Sequence, residues 1–494
     1  LVEGWNSATR DPASHSAHRL LADSYFARPL HEISRVSELL QAQLLQPLNI
    51  NTLQPQLAEA SLQILEGAGP SSLAFNEFNP LFRRDRVAFQ ANGLAGNNAT
   101  FADDLVLSGI EGPISWSLGQ FHYETDGFRE NADLEHNIYN AFVQAALTSN
   151  LSFQAEVRKR KTSLGDLQMN FEPDDFGPSD RGKEKQRTGR IGSHYSPMPN
   201  LDFIFSAIYT KRKETQDELV AGPPGASSQF RRKDKGYQVE GQKIFKHPWF
   251  NTTIGVGAYD IDSDTVVGLD FPGFCPVPFP NCEIIDEFNT QHENIYLYTN
   301  IFFPKEVIST LALSYDSFNG RDHNLDKVLP KIGIRLNLTD WAQIRAAYFR
   351  NIARPLAVNQ TIEPTQIAGF NQFFDDVFGT EVKSYGVGLD VLLIKNLYGG
   401  MAYLRRDLEV PLVVGQNTEL FDQWADNYRL YLYWTPHLHW AISTTPEYRK
   451  FKRSSTEPTV TLGEALPKVK TLTVPVTARY FHPSGFFGSV GGTF

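Results

Sequence analysis

Most of the chain alternates apolar and polar residues with a period of two, which is typical of β-strands whose two faces meet different surroundings. The stretch from Lys470 to Phe494 shows this clearly. One face carries Leu472, Val474, Val476, Ala478 and Tyr480, and the other carries threonines, Pro475 and Arg479. A Pro-Ser-Gly turn and a second alternating run follow, so the pattern predicts a terminal hairpin with one apolar face.

Runs of the same kind follow one another from Arg86 to the end of the chain, and about nineteen of them can be counted. No helical pattern remains between them to cover an apolar sheet face, which favours a closed barrel with lipid outside and a polar lumen inside. Single-chain bacterial barrels favour even strand numbers. We therefore predict an all-β, antiparallel transmembrane barrel of about 18 strands, within a range of about 16 to 20.

Residues 1–70 have a different pattern, with apolar positions at helical spacing. It predicts helices over 16–26 and 31–46 and a third apolar run over 57–65. Two short helices in one repeat-sized unit suggest a tetratricopeptide-like periplasmic segment, and a helical cap or plug of the barrel is the alternative. The predicted organisation is thus a helical segment over 1–70, a linker over 71–85 and a barrel over 86–494.

The connections between the predicted strands differ in length. Short ones, such as 148–150, predict periplasmic turns, and long polar ones predict extracellular loops. The predicted extracellular loops are 172–183, 217–228, 262–286, 354–379 and 454–466.

Composition agrees with a membrane barrel. No run of about 18 apolar residues offers a spanning helix. The chain has 35 Phe, 19 Tyr and 7 Trp, which suits aromatic girdles at two membrane interfaces. An aromatic-rich soluble β-protein, such as a lectin or a propeller, is the alternative. The formal net charge of −10 argues against a nucleic-acid partner.

The chain has two cysteines, Cys275 and Cys282, in a proline-rich loop. They predict one disulfide in an oxidising compartment. The chain contains no CxxCH motif, so we predict no c-type haem. No signal peptide begins at Leu1, as expected for a processed protein or a fragment.

No catalytic constellation is evident, and we predict no enzyme activity, no cofactor and no metal site. His437 and His439 lie two positions apart at a turn, where a histidine pair without a third ligand is more often structural. The chemistry that remains is transport, since a pore selects by the charges and aromatic rings that line it. The predicted pore-lining residues are Gln154, Glu156, Arg158, Arg190, Glu240, Lys331, Arg335, Arg345, Asp390 and Arg479, and Tyr296, Tyr298, Tyr431 and Tyr433 are further inward candidates.

A helical segment that leads directly into a C-terminal barrel resembles the outer-membrane exopolysaccharide export porins, in which periplasmic tetratricopeptide repeats precede the barrel. Phe486, Val490 and Phe494 resemble the terminal signal read by the outer-membrane assembly machinery. The stretches 120–131 and 362–372 are similar to strand-to-loop exits of TonB-dependent receptor-like barrels.

The resemblance implies a channel of the bacterial outer membrane that passes a polar substrate, most simply an exported exopolysaccharide. The expected partners are outer-membrane lipid, the assembly machinery, a polysaccharide and periplasmic proteins. One alternative is a scaffold barrel that anchors or encircles a multihaem cytochrome or a surface filament. The other is a receptor-type importer that lacks its plug in this fragment.

Overall fold

A computed structural model describes residues 2–25, 31–49, 85–167, 176–219, 227–270, 282–321, 323–374, 376–414, 417–461 and 466–494. These residues form one antiparallel sheet of 21 strands, a separate two-stranded hairpin and four helices.

The helices are α1 (Val2–Arg10), α2 (His15–Tyr25), α3 (Glu32–Leu45) and α4 (Pro458–Thr461). The strands of the first half are β1 (Arg86–Ala95), β2 (Phe101–Glu111), β3 (Ile114–Thr125), β4 (Leu134–Thr148), β5 (Leu151–Leu164), β6 (Arg181–Met198), β7 (Leu201–Leu219), β8 (Ser227–His247), β9 (Phe250–Asp270), β10 (Glu283–Ile301), β11 (Val307–Gly320) and β12 (His323–Thr339). Those of the second half are β13 (Ala342–Ile352), β14 (Gln366–Ile367), β15 (Phe370–Asn371), β16 (Glu381–Ile394), β17 (Leu397–Val414), β18 (Asn417–His437), β19 (Trp440–Thr444), β20 (Glu447–Arg453), β21 (Lys468–Thr473), β22 (Pro475–Phe481) and β23 (Phe487–Thr493).

The large sheet is an up-and-down meander in which strands that follow one another along the chain pair antiparallel. β18 pairs with both β19 and β20, β19 pairs with β22, and β20 pairs with β21. β19 and β20 therefore form one strand that is interrupted at Pro446. In the same way, β21 and β22 form one strand that is interrupted at Val474. These interruptions raise the count to 21, above the predicted 18 and its range. The one at Pro446 arises because a proline cannot donate to the ladder.

The two faces of the sheet differ as the alternation predicts. On β10, Ile295 and Leu297 are 52% and 42% exposed, whereas Tyr296 and Tyr298 are 1% and 3% exposed. Large apolar side chains on the outward face recur from β1 to β23, and polar side chains crowd the inward face. An all-β antiparallel wall with an apolar outside and a polar inside is thus confirmed.

Helices α1, α2 and α3 pack against the inward face of this wall. The side chain of Gln144 on β4 donates to the carbonyl oxygen of Gln46 at 2.6 Å, and Asn251 on β9 donates to that of Thr9 at 2.5 Å. Leu40 and Leu44 of α3 share an apolar cluster with strand residues. The structure extends the helical region beyond the two predicted helices, since α1 begins at Val2.

The connection from β13 to β16, described over 353–374 and 376–380, lies largely inside. We predicted an extracellular loop over 354–379; the connection leaves the wall at the long-loop end but folds into the lumen, so a solvated loop is wrong. Most of its apolar side chains are buried, among them Leu356, Ile362, Ile367, Phe370 and Phe374, whereas Val377 and Phe378 are exposed. So many apolar groups favour removal from water over a solvated loop. We call residues 353–380 the inner segment.

Several predictions fall on other parts of the chain. The apolar run 57–65 and the linker 71–85 lie outside the described residues, apart from Asp85. Cys275 lies outside them as well, so the Cys275–Cys282 disulfide stays a prediction. Among the described residues, no helix is both long and apolar enough to cross a membrane.

The outward face of β12 allows a direct test of its orientation. Ile332 lies in the middle of its exposed apolar row. Ile332→Arg should destabilise the inserted protein by about 2–4 kcal/mol, because arginine near the bilayer midplane is poorly solvated. Heat-modifiable mobility and membrane-inserted yield would measure the loss. Asn324→Arg, on the same face beyond the apolar row, is the matched control and should insert normally. Equal yields for the two variants would contradict the orientation.

Candidate functional site in the lumen

The inner segment is fixed by one buried carboxylate, that of Glu363. Its Oε1 accepts a hydrogen bond from Lys331 Nζ of β12 at 2.8 Å, and its Oε2 lies 2.6 Å from Arg354 Nη1. Asn294 of β10 donates to Oε2 at 3.1 Å, and the hydroxyl of Tyr298 also donates to this carboxylate. The side chains of Glu363 and Lys331 are both 0% exposed. One acid therefore neutralises two cations that have no access to water.

Arg354 extends this network toward β10 and β11. Its Nη2 lies 3.6 Å from Asp316, which also makes a 2.8 Å hydrogen bond with His292 and accepts one from Ser314 at 2.6 Å. The guanidinium carbon of Arg354 also lies 5.7 Å from the centre of the Tyr259 ring of β9, within cation–π distance. The start of the inner segment is thereby bound to the wall by charge and by stacking.

A second buried carboxylate, Glu240 of β8, holds the middle of the inner segment. It accepts hydrogen bonds from Tyr259 at 2.8 Å, from the backbone N–H of Ile362 at 3.2 Å and from the hydroxyl of Thr361. Gln238 donates to the same carboxylate at 2.7 Å. These donors satisfy the carboxyl group of Glu240 without a cation in direct contact.

The three helices meet the inner segment from the other side. Ser34 of α3 donates to the side-chain oxygen of Asn371 at 2.6 Å, and Tyr25 of α2 donates to the same oxygen at 3.1 Å. The backbone N–H of Thr361 donates to Ser37 at 3.1 Å. Helices and inner segment together form one body that occupies the lumen between the strands, and we call it the lumen core.

The packing of α2 on α3 contains a buried ion pair. His18 Nδ1 lies 2.5 Å from Glu38, and His18 Nε2 lies 2.9 Å from the carbonyl oxygen of Pro12. Burial opposes the charged imidazolium, but the Glu38 carboxylate more than offsets this and raises the pKa of His18 above its ordinary value.

A cavity of about 220 Å³ remains between α3, the inner segment and the wall of β5 to β9. Six arginines and two carboxylates line it: Arg19, Arg158, Arg160, Arg190, Arg212 and Arg232, with Glu156 and Asp234. Arg190 is fully engaged, at 2.6 Å from Glu156 and 2.7 Å from Gln43 of α3. The other five arginines also lie within ion-pair distance of carboxylates, those of Asp23, Glu156, Glu184, Glu214 and Asp234. Guanidinium groups present planar hydrogen-bond donors, so the lining suits an oxygen-rich solute that can accept from them.

The predicted pore-lining residues fall into separate groups. Glu156, Arg158 and Arg190 line the cavity, and Gln154 is buried beside them on β5. Glu240 and Lys331 hold the inner segment, as described above. The other predicted residues are placed as follows: Arg335 donates to Asn6 of α1, Arg345 lies 2.7 Å from Asp390, and Arg479 is exposed on β22 opposite Ala441. Their role in a pore stays a prediction.

The aromatic candidates also divide. Tyr296, Tyr298 and Tyr431 are buried on the inward face, whereas Tyr433 is exposed. The hydroxyl of Tyr298 donates to Glu363, so this side chain belongs to the buried network around Glu363.

The residues missed by sequence reasoning are Glu363, Arg354, Asp316 and His292. The first two lay in the supposed external loop, where charged residues are expected to be solvated. The available signal was the high apolar content of residues 353–380, which does not suit a solvated loop.

Phe486, Val490 and Phe494, the residues of the proposed assembly signal, are all exposed at the end of the chain. β23 pairs with β22 in the expected hairpin. Recognition by assembly machinery stays a prediction.

Comparison with known families gives a clear match. The model of the TonB-dependent receptor-like β-barrel matches residues 84–491. A comparison with curated proteins finds no match. The predicted resemblance to exopolysaccharide export porins is therefore wrong, and so is the tetratricopeptide-like interpretation of the helices.

Solved structures share the fold at low sequence identity. The alcaligin outer membrane receptor FauA from Bordetella pertussis has a TM-score of 0.55 at 14% identity, over 83% of this chain and 68% of that one. The copper transporter OprC has a TM-score of 0.61 at 13% identity, over 83% and 67%. The ferric yersiniabactin uptake receptor FyuA from Yersinia pestis has a TM-score of 0.58 at 11% identity, over 83% and 72%. The chain thus spans roughly two thirds to three quarters of the length of these structures.

Removal of the central charge tests the hold on the inner segment. Glu363→Gln leaves Lys331 buried without a counter-charge and Arg354 with Asp316 at 3.6 Å, which should weaken the docking of the inner segment by about 3–5 kcal/mol. Hydrogen exchange followed by mass spectrometry should then speed up in residues 355–374. Glu287→Gln, an exposed site on β10, is the control and should leave exchange unchanged. Unaltered protection in Glu363→Gln would mean that apolar packing alone holds the segment.

The His18–Glu38 pair predicts a pH dependence. A folded-state pKa above the ordinary 6.5 means that the pair stabilises the helices fully below about pH 6.5, and that this contribution is lost as the pH rises through the raised value. Thermal unfolding should therefore show a stability loss on the alkaline side that His18→Gln abolishes. His247→Gln, at an exposed turn, should keep the wild-type pH profile. A pH profile of His18→Gln identical to that of the wild type would contradict the assignment.

Proposed function

The chain belongs to the family of TonB-dependent receptor-like β-barrels, and from this premise we propose that it is a receptor-type importer with a normally closed lumen. Membership confirms the predicted location in the bacterial outer membrane and the class of transport protein. It favours the receptor-type alternative over exopolysaccharide export.

The observation that carries the proposal is the lumen core. An open porin needs a continuous aqueous path, but here three helices and the inner segment fill the space within the described wall. Their contacts are specific hydrogen bonds and buried ion pairs, many of them 2.6–3.1 Å long. A ligand can pass such a core only after part of it is displaced, so transport by this chain requires work.

The substrate class we propose is an anionic chelate. Six arginines line the cavity beside α3, and although each also contacts a carboxylate of the chain, their guanidinium groups can donate charge-assisted hydrogen bonds to an anionic, oxygen-rich solute. Proteins of similar fold include an alcaligin receptor, a ferric yersiniabactin receptor and a copper transporter. Metal chelates that carry anionic oxygens fit both the guanidinium lining of the cavity and the class of ligand named for the first two of these proteins.

The partner we propose is a TonB-type coupling protein, which would supply the work from the inner membrane. The backbone carbonyl oxygens of Thr9 in α1 and of Gln46, just after α3, contact the wall near the short-turn ends of the strands, at Asn251 and Gln144. By the rule that short turns are periplasmic, the helices are the part of the lumen core nearest to such a partner.

The experiment is uptake of radiolabelled ferric chelates by cells that express the full-length protein, with and without a protonophore. Uptake should depend on the protein and stop when the proton gradient is dissipated. Uptake that persists after dissipation would indicate a passive channel and contradict the proposal.

A cavity variant refines the same assay. Arg212→Gln removes one cation that faces the cavity, and it should lower uptake of an anionic chelate severalfold, since a charge-assisted hydrogen bond contributes about 1.5–3 kcal/mol. Lys243→Gln, on the outward face of β8, is the matched control and should transport normally. Equal uptake by both variants would show that the cavity does not lie on the transport path.

A further inference from the structure

The outward face of β5, β6, β7 and β8 carries eight exposed cations in two rows. The first row is Lys159, Arg187, Lys211 and Lys235, and the second is Lys161, Lys185, Lys213 and Lys233. In each row the residues are direct cross-strand partners from one strand to the next. We call these eight residues the cation grid.

Such an arrangement is unfavourable by itself. Neighbouring strands lie about 4.8 Å apart, and like charges placed directly opposite each other destabilise a sheet. The whole chain has a net charge of −10, so the grid departs from the average surface. Asp262 and Asp264 of β9 adjoin one end of the grid, opposite Lys235 and Lys233, and supply two negative charges against eight positive ones.

The structure does not neutralise the remaining charges. Among the described residues, no salt bridge joins a member of the grid. The ion pairs nearest to it, Arg181 with Asp133 and Arg231 with Glu283, involve other residues. On the β4 side the partners are Tyr139 and Asn137, which are uncharged. The grid thus offers a surface of excess positive charge to an anion from outside the chain.

The position of the grid identifies that anion. The next row toward the membrane is Val157, Gly189, Tyr209 and Tyr237, and the rings of the two tyrosines lie 4.8 Å apart. The row after that is Ala155, Ile191, Ala207 and Val239. Along these strands, apolar residues are followed by an aromatic pair and then by cations. This is the order expected from the lipid tails through the interface to the headgroups.

The grid also lies at a defined end of the barrel. The turns between β4 and β5, β6 and β7, and β8 and β9 have two residues each, whereas the connections at the grid's end, such as 165–180, are longer. Short turns are periplasmic in outer-membrane barrels, so the grid faces the outer leaflet. The lipid of that leaflet in Gram-negative bacteria is a glycolipid that bears phosphate groups on its sugars.

We propose that the cation grid binds the phosphorylated headgroup of an outer-leaflet glycolipid. The grid covers roughly 14 Å across four strands, which accommodates more than one phosphate. It continues the lipid-facing surface of the same strands, so the glycolipid's acyl chains would lie against Val157, Ile191 and Val239. The inference is independent of the transported ligand, because it concerns the opposite face of the wall from the cavity.

The test measures binding of bisphosphorylated lipid A to the purified full-length protein in a neutral detergent, by native mass spectrometry. Lys185 and Lys213 are direct partners at the centre of the grid. The double variant Lys185→Gln with Lys213→Gln should bind this lipid on the order of 30-fold more weakly, because the loss of each lysine is expected to lower the affinity by about tenfold or less. The control is the double variant Lys243→Gln with Lys305→Gln, which changes two exposed lysines at the other end of the barrel. It should bind lipid A like the wild type.

Three results would overturn the proposal. The first is undiminished binding by the double variant. The second is equal binding of lipid A from which the phosphates have been removed. The third is binding of a short single-stranded oligonucleotide as tight as that of lipid A, which would make the grid a general polyanion surface.

A stability measurement separates misfolding from lost binding. In neutral detergent without lipid A, the double variant should unfold at the same temperature as the wild type or higher, because two opposed positive charges are gone. Addition of bisphosphorylated lipid A should stabilise the wild type and the control more than the double variant. A lower unfolding temperature of the lipid-free double variant would contradict the unbalanced repulsion from which the proposal starts.

Discussion

The carboxylate of Glu363 is the constraint on which the arrangement of the lumen depends. It neutralises Lys331 from the wall and Arg354 from the inner segment itself, and all three side chains are fully buried. Without it, Lys331 would face the low-dielectric interior alone and Arg354 would keep only the longer contact with Asp316, which is far less favourable than a solvated charge. The docked position of the inner segment therefore depends on these charges being paired together.

The wall and the lumen core are held by different kinds of interaction, and this division bears on transport. The strands are joined by continuous backbone ladders, so separating any two of them breaks many hydrogen bonds at once. The lumen core is joined to the wall chiefly by side chains such as Asn251, Gln144 and Arg335. A pulling force that exceeds these side-chain contacts can displace the core while the ladders persist. The fold thus separates a rigid part from a displaceable part by the type of bond alone.

Sequence reasoning succeeded where the physical signal is local and repeated. Two-sided strands such as β5 and β12 have one face in lipid and one in the lumen, so alternation gives both their position and their orientation. It failed at the inner segment, because an extracellular connection that folds inward has no periodic pattern of apolar residues. Only its partners across the barrel explain its burial. Lys331 was assigned to the lumen, but its partner Glu363 is 32 residues away along the chain, and no local pattern joins the two.

The strand count and the helices show two further limits. Pro446 divides a run that alternates well over 438–449, because a missing N–H interrupts the ladder without changing the apolar pattern. The helical spacing of residues 16–46 is the same whether the helices stack on repeats or fill a barrel. What distinguishes these cases is the polar character of the surroundings, seen in the burial of His18, Glu38 and Gln41, and this depends on the completed wall.

The wall of β5 to β8 uses its two cationic residue types differently on its two faces. Inward, Arg160 and Arg212 both pair with Glu184, where the planar guanidinium can serve a carboxylate and still face the cavity. Outward, the neighbouring positions are mostly lysines, such as Lys159, Lys161 and Lys211, whose compact, strongly hydrated ammonium groups suit a wet interface. The inward arginines are balanced within the chain by carboxylates such as Glu156, Glu184 and Asp234. The outward cations face only Asp262 and Asp264 across the strands, at one edge, so the same four strands present different electrostatic surfaces to the lumen and to the lipid.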